Sequence, residues 1–139
     1  MLYEILCSNE EKRMIITCSY PYGIIKGNLR KWKKIGVVAC NTCARVCETG
    51  GKEAMTRLVE RLRADGFEVV DEDVVPMACN LDLAKKGDYK GDMLVIMACD
   101  SGFATFQSLY PNKRIVTANK TVGLGSRDRN GNIFITEKI

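Results

Sequence analysis

The sequence predicts an α/β fold in which four parallel strands form one sheet with helices on both of its faces. Short apolar runs of the kind found in buried strands alternate with segments of helical periodicity, and turn residues separate them. Strands and helices that alternate in this way form parallel sheets with right-handed crossovers. The length of 139 residues, with 46% hydrophobic and 27% charged residues, fits one globular domain.

The first predicted strand and the first predicted helix flank a cysteine-rich turn. Residues 35–39 (IGVVA) form an apolar run that is too short for a helix and ends at Cys40. After the turn, Gly50 and Gly51 lead into an amphipathic helix, which Gly66 ends. The apolar positions of this helix recur at i, i+3, i+4 and i+7, as Met55, Leu58, Val59 and Leu62.

The second predicted strand covers residues 67–77 and includes an acidic patch, and Cys79 follows it. Asn80 is a suitable cap for a short helix that runs to Lys86. The chain therefore returns to the sheet through a second, shorter crossover.

The third predicted strand is the most apolar run of the chain, residues 93–98 (MLVIMA), and Cys99 follows it. A helix over residues 102–109 is stopped by a proline, and residues 114–117 form the fourth strand. Together these elements predict a flavodoxin-like or Rossmann-like sheet.

The two ends of the sequence are less regular. Residues 123–139 predict a C-terminal β-hairpin that turns at Asn130-Gly131. Residues 2–6 and 14–17 are candidate edge strands, and residues 26–34 form a basic connector. We divide the chain into an N-terminal extension with this connector (1–34), an α/β domain (35–122) and a hairpin tail (123–139).

Seven cysteines and the absence of histidine restrict the chemistry of the chain. Without imidazole there is no Cys/His zinc finger and no Ser/His or Cys/His nucleophile pair, which excludes most hydrolase mechanisms. An odd number of thiols without an export signal favours reduced cysteines that bind metal or carry redox chemistry over disulfides.

Charge and hydropathy indicate where the protein acts. A net charge of +4 is too small and too scattered to predict nucleic-acid binding. No run approaches the roughly 18 apolar residues of a membrane-spanning helix. The first residues are acidic where a signal peptide is apolar. We expect a cytoplasmic protein that binds neither nucleic acid nor membrane.

Three of the predicted strands end in similar tripeptides. Ala-Cys-Asn occupies residues 39–41 and residues 78–80, and Ala-Cys-Asp occupies residues 98–100. The carboxyl ends of parallel strands share one edge of the sheet, where open α/β sheets bind their ligands. We therefore expect these thiols to lie at one edge.

The sequence C-N-T-C-A-R-V-C places three thiols close together, Cys40, Cys43 and Cys47. A [4Fe-4S] cluster needs four thiolates, and a local set of three takes the fourth from elsewhere in the fold. Cys79 or Cys99 is the fourth ligand. We favour Cys79, because it lies on a less regular segment that adjusts more easily. Cys99 is then expected to lie next to the ligands without binding the cluster itself. Zinc is the alternative metal for four of these thiols, although the usual pair of C-x2-C motifs is absent.

The remaining candidates are weaker. Cys7 and Cys18 are expected to be buried structural thiols, because free cysteine is among the most buried residue types. Backbone N–H groups at helix N-termini bind phosphate or cluster sulfur. Two predicted helix N-termini therefore supply candidate cofactor-binding residues: Gly50, Gly51, Ser101 and Gly102.

The run VVACNTCARVCETGGKEAMTRLVERL, followed by VVPMACN and LVIMACDSGFATFQSL, resembles a known family. It is the domain found as the C-terminal part or iron-sulfur subunit of methylenetetrahydrofolate reductases in anaerobic bacteria. The resemblance covers residues 35–122, and five cysteines and two glycines agree in order and context. It weakens after Cys99, because family members continue into a second cysteine-rich segment and this chain has no further cysteine.

The resemblance implies an iron-sulfur electron-transfer subunit with one cluster, which is not itself the catalyst. The implied partner is a flavin-containing reductase subunit, with ferredoxin or a larger electron-transfer complex as donor or acceptor. Two alternatives remain open. One is a structural four-cysteine zinc module for protein docking, and the other is a stand-alone thiol enzyme that uses Cys99 as nucleophile.

Overall fold

A computed structural model describes residues 14–85 and 87–138 of the chain. Its strands are β1 (Met14–Ser19), β2 (Lys34–Cys40), β3 (Glu68–Val75), β4 (Met93–Met97), β5 (Arg114–Thr117), β6 (Asn119–Arg127) and β7 (Ile133–Lys138). Its helices are α1 (Tyr22–Gly27), α2 (Cys43–Val46), α3 (Gly51–Ala64), α4 (Leu81–Ala84) and α5 (Asp100–Leu109). The strand predicted at residues 2–6 lies outside the described residues.

Four parallel strands form the main sheet in the order β3-β2-β4-β5. The central strand β2 pairs with β3 on one side and with β4 on the other, so that Val37 lies beside both Glu72 and Val95. The predicted α/β class and its four-stranded parallel sheet are confirmed. Local patterns were sufficient here because the two central strands, β2 and β4, are short apolar runs.

Each face of this sheet is covered by helices. Val37 and Val95 face α1 and α3, where Leu62 is fully buried. The next residues along the strands point the other way, and Leu94 packs with Phe106 of α5. Alternate residues of β2 and β4 are thus buried on both sides, as expected for a sheet between two helical layers.

A second sheet joins the two ends of the described chain, in the order β1-β6-β7. The predicted C-terminal hairpin is confirmed as the antiparallel pair β6 and β7, with Gly131 in the turn at a φ of 84°. The edge strand predicted at residues 14–17 is also confirmed as β1. It pairs with β6, so that Met14 lies opposite Gly125. The division between residues 122 and 123 falls inside β6.

The helices differ from the predicted ones mainly at their ends. Helix α5 begins at Asp100, two residues before the predicted start. The Asn80 side chain caps α4 by accepting a hydrogen bond from the Leu83 N–H, and α4 ends at Ala84. The predicted end at Lys86 lies outside the described residues. Helix α1 was not predicted, and it occupies part of the sequence assigned to the basic connector. None of the helices in the described residues combines the length and apolar character needed to cross a membrane.

Candidate functional site

Three cysteines lie at the carboxyl edge of the main sheet. Cys40 is the last residue of β2, while Cys79 and Cys99 follow the neighbouring strands β3 and β4. The Ala78 N–H donates a hydrogen bond to the Cys40 Sγ over 3.4 Å, so the segment after β3 contacts the end of β2 directly. We call this edge, together with α2, the thiol rim.

Helix α2 adds two cysteines to the thiol rim, Cys43 at its first residue and Cys47 at its C-cap. The hydroxyl of Thr42 donates to the Pro76 carbonyl over 3.0 Å and lies 3.1 Å from the Cys40 Sγ. On the other side, the Cys47 thiol lies 3.8 Å from the Ile15 carbonyl, which accepts a weak hydrogen bond. Helix α2 is therefore held between the β3 end and β1.

The five thiols of the rim differ in burial. Cys40 and Cys99 are buried, with 7% and 8% of their surface exposed. Cys43 and Cys47 are half-buried and Cys79 is exposed. The rim thus has a buried side, and it reaches solvent at Cys79.

The thiols of the rim influence one another electrostatically. Burial raises the pKa of the Cys43 thiol, and a hydrogen bond with the Ile15 backbone lowers it in part. The neighbouring Cys99, Cys40 and Cys47 raise it further. Although Cys79 is exposed as a residue, partial desolvation of its sulfur raises the pKa of the thiol, and the neighbouring Cys99 and Cys40 raise it further. All five cysteines therefore lie within one electrostatic neighbourhood.

The chemistry of the donor set fits a thiolate-bound metal group, because the rim supplies five sulfurs and the chain has no histidine. Within residues 14–85 and 87–138, no three Cys, Asp or Glu side chains converge closely enough to hold one metal ion as they stand. A single zinc ion requires its four sulfurs at about 2.3 Å from one point. In a [4Fe-4S] cluster each thiolate binds a different iron, and the sulfurs surround a larger group.

The predicted cofactor-binding glycines lie where backbone segments approach one another. A Cβ on Gly50 would stand 2.7 Å from the Ala44 Cβ and 2.8 Å from the Cys40 carbonyl oxygen. Gly51 has a φ of 76°, in the left-handed region that favours glycine. These two residues bring the N-terminus of α3 against the end of β2.

Gly102 allows the start of α5 to approach the rim closely, as Gly50 and Gly51 do for α3. A Cβ on Gly102 would lie 2.8 Å from the Ala98 Cβ and 2.9 Å from the Ala78 Cβ, so only glycine lets α5 begin this close to the rim. The preceding residue, Ser101, is exposed on the first turn of α5. Packing therefore accounts for glycine at both helix starts.

Cys18 corrects one expectation from the sequence. It was predicted to be a buried structural thiol, but it is exposed on β1 opposite Lys120. Strand β1 belongs to the smaller sheet and buries only Ile16 and Thr17, so its end has no covering layer. The companion prediction for Cys7 lies outside the described residues.

Several residues of the site were not found from the sequence. Thr42 lies within the cysteine motif, and a hydroxyl between two thiols was an available signal. Ile15 and Thr121 had no such signal. Ile15 contacts Cys47 from the distant strand β1. Thr121 belongs to β6, and its hydroxyl accepts a hydrogen bond of 2.9 Å from the Asp100 N–H. Contacts between distant segments leave no local pattern.

Comparison of the chain with protein-family models, with curated proteins and with solved structures finds no significant match. The α/β sheet and the cysteine-lined carboxyl edge are therefore the observations from which a function is argued.

Proposed function

We propose that the protein is an iron-sulfur electron-transfer subunit or accessory domain of a flavin-dependent reductase complex, similar to methylenetetrahydrofolate reductase of anaerobic bacteria. The observation that carries the proposal is the thiol rim, where three strand ends and α2 bring five cysteines to one edge of the sheet. One [4Fe-4S] cluster supplies one-electron transfer when bound.

Cys40, Cys43 and Cys47 are the proposed local ligands, with Cys79 as the fourth. Cys79 is exposed on the irregular segment between β3 and α4, so its side chain can turn inward without moving a strand or a helix. Cys99 is buried at the N-cap of α5. In this proposal it lies next to the ligands and does not bind the cluster.

A backbone donor beside the rim supports the thiolate form of one proposed ligand, Cys40. The Ala78 N–H already donates to the Cys40 Sγ, and such bonds stabilise negative charge on a ligand sulfur. The Ile15 backbone covers the Cys47 side of α2. Solvent and an electron-transfer partner reach the rim from the Cys79 side.

The proposed partner is a flavin-containing reductase subunit, with ferredoxin or a larger electron-transfer complex at the other end of the relay. A cytoplasmic location is part of the proposal, since cysteines stay reduced there and remain free to bind a cluster.

The deciding measurement is the content of iron, sulfide and zinc per chain in protein purified without oxygen. We expect a brown protein with about four iron and four sulfide per chain. One zinc per chain without sulfide would support the structural zinc module instead. A metal-free protein with one highly reactive thiol at Cys99 would support the thiol enzyme.

Cysteine variants test the assignment of ligands. Cys43→Ser and Cys47→Ser should abolish the cluster, whereas Cys18→Ser should retain it, because the Cys18 side chain is exposed on β1. Cys79→Ala should remove the [4Fe-4S] signal and Cys99→Ala should only shift its reduction potential. The reverse result for this last pair would make Cys99 the fourth ligand.

A further inference from the structure

Basic side chains collect at the amino-terminal edge of the main sheet, opposite the thiol rim. Lys33, Asp92 and Lys113 directly precede β2, β4 and β5, and they line a surface depression of about 530 Å³. A second depression of about 630 Å³ lies beside it, since Arg30 and Trp32 line both. We call these two depressions the basic edge. The seven residues of β2 separate it from the thiol rim by about 20 Å.

The basic edge has more cations than its own carboxylates neutralise. Asp65 forms an ion pair with Lys26 and accepts a hydrogen bond from the Tyr22 hydroxyl. Asp92 accepts from the Lys34 backbone N–H. Five cations that line the depressions form no ion pair in the described part of the chain: Arg30, Lys31, Lys33, Lys113 and Arg114. This local excess of positive charge is complementary to an acidic partner.

Trp32 supplies an apolar contact among these cations. It is the only tryptophan of the chain, and 77% of its surface is exposed. The buried residues Leu29 and Met93 add apolar lining to the depressions on either side. Tryptophan and arginine are the residue types that most often dominate the binding energy of protein–protein interfaces. An exposed tryptophan beside unpaired arginines therefore favours a protein partner.

Single-stranded nucleic acid is the other class of ligand that binds to cations and aromatic rings. Its successive bases stack on a series of such rings. Of the two aromatic residues that line the basic edge, Phe67 is buried, which leaves Trp32 as the accessible ring. One accessible ring fits one apolar side chain of a protein segment better than a run of bases.

We propose that the basic edge binds an acidic segment of a protein partner, in which aspartate and glutamate residues flank one large apolar side chain. The apolar side chain covers Trp32, and the carboxylates pair with the cations around it. Because the rim lies at the opposite edge of the sheet, a partner bound here leaves Cys79 accessible. This binding is independent of the metal at the rim, so it is tested separately from the proposed function.

The test is titration of the full chain, followed by the fluorescence of Trp32. The probe is a synthetic peptide of about ten residues, with one central leucine among aspartates and glutamates. We expect a saturable change with a Kd of about 10–100 µM at low salt, and binding at least about threefold weaker in about 0.5 M salt. A peptide with serine in place of the leucine should bind about tenfold more weakly.

Variants of exposed residues test the protein side. Arg114→Gln and Lys33→Gln should each weaken binding about threefold. Arg57→Gln is the matched control, because it removes the same charge from an exposed position outside both depressions, and it should leave the affinity unchanged. Trp32→Ala, followed by calorimetry, should weaken binding about tenfold or more.

Four results would overturn the proposal. The first is the absence of saturable binding up to about 1 mM peptide. The second is equal weakening by Arg57→Gln and Arg114→Gln, which would indicate unspecific attraction by the net charge. The third is equal binding of the leucine and serine peptides, which would remove the role of Trp32. The fourth is tighter binding of an oligouridylate of the same length, which would assign the basic edge to nucleic acid instead.

Discussion

Gly50 illustrates how one residue sets the shape of the thiol rim. It is the N-cap of α3, and its missing side chain lets the helix approach the carbonyl oxygens of Cys40 and Met97 at the ends of β2 and β4. The surrounding atoms are mostly backbone, which cannot move aside without shifting a strand. The close approach therefore depends on glycine at this position.

Gly50→Ala is expected to destabilise the fold by about 1–3 kcal/mol, because its Cβ would overlap backbone atoms at the rim. Urea unfolding measures the change. Gly23→Ala in α1 is the matched control, since a Cβ there meets nothing within 4 Å. The control should be neutral or stabilising by up to about 1 kcal/mol. Equal losses in both variants would contradict the packing role of Gly50.

At the residue level, the sequence predicted what depends on local spacing. The positions of Cys40 and Cys99 at strand ends followed from the apolar runs that precede them. The exposure of Cys18 and the hydrogen bond from the Asn119 Nδ2 to the Thr49 carbonyl could not be predicted, because both depend on which distant segment packs beside them. Burial is a property of the assembled layers, and a single position does not encode it.

Among the elements, α1 shows where local patterns were insufficient. It has six residues and contains two glycines, both of which weaken a helix in isolation. Tertiary contacts stabilise it, since Ile25 is buried and the Tyr22 hydroxyl hydrogen-bonds to the Asp65 carboxylate at the end of α3. By contrast, α3 has a full apolar stripe, and its start and end were predicted from sequence.

The contact between α1 and α3 predicts a pH dependence. Burial, and after it the Asp65 hydrogen bond, raises the pKa of Tyr22 from 10.0 to about 12. The unfolded chain then loses this proton first, so stability is complete below pH 10 and falls as the pH rises towards 12. Tyr22→Phe should cost about 0.5–1.5 kcal/mol at pH 7 and make the alkaline decline shallower.

Urea unfolding at several pH values between neutral and strongly alkaline measures both effects. Tyr20→Phe is the control, because no hydrogen bond of the Tyr20 hydroxyl occurs within the described residues. An alkaline decline as steep in Tyr22→Phe as in the unmodified chain would show that another group controls it.

In the whole molecule, the strands of the smaller sheet contribute unequally to the buried core. Strand β6 carries the fully buried Asn119 at the edge of the core, whereas every residue of β7 is exposed. The main sheet buries its central strands β2 and β4 on both faces and receives no buried side chain from β7. Strand β7 is therefore separable from the rest of the fold.

Gly125→Ala tests this separation. A Cβ on Gly125 would overlap the Phe134 carbonyl oxygen, which forces β7 away from β6. We expect the amides of β7 to lose more than about tenfold of their protection from hydrogen exchange, while β2 and β4 keep theirs. Ser126→Ala in the same strand is the control and should change neither. Loss of protection in β2 and β4 would show that the molecule unfolds as one unit.

The pairing of β1 with β6 also has a consequence for the order of assembly. All five rim cysteines lie between these strands in the sequence, so a nascent chain exposes every one of them before β1 has a partner. Pairings between such distant segments form late, because the loop must close first. The Ile15 carbonyl thus reaches Cys47 only after all five rim cysteines have been synthesised. Under the proposed function, the cluster is inserted during biosynthesis, in the interval before β1 pairs with β6.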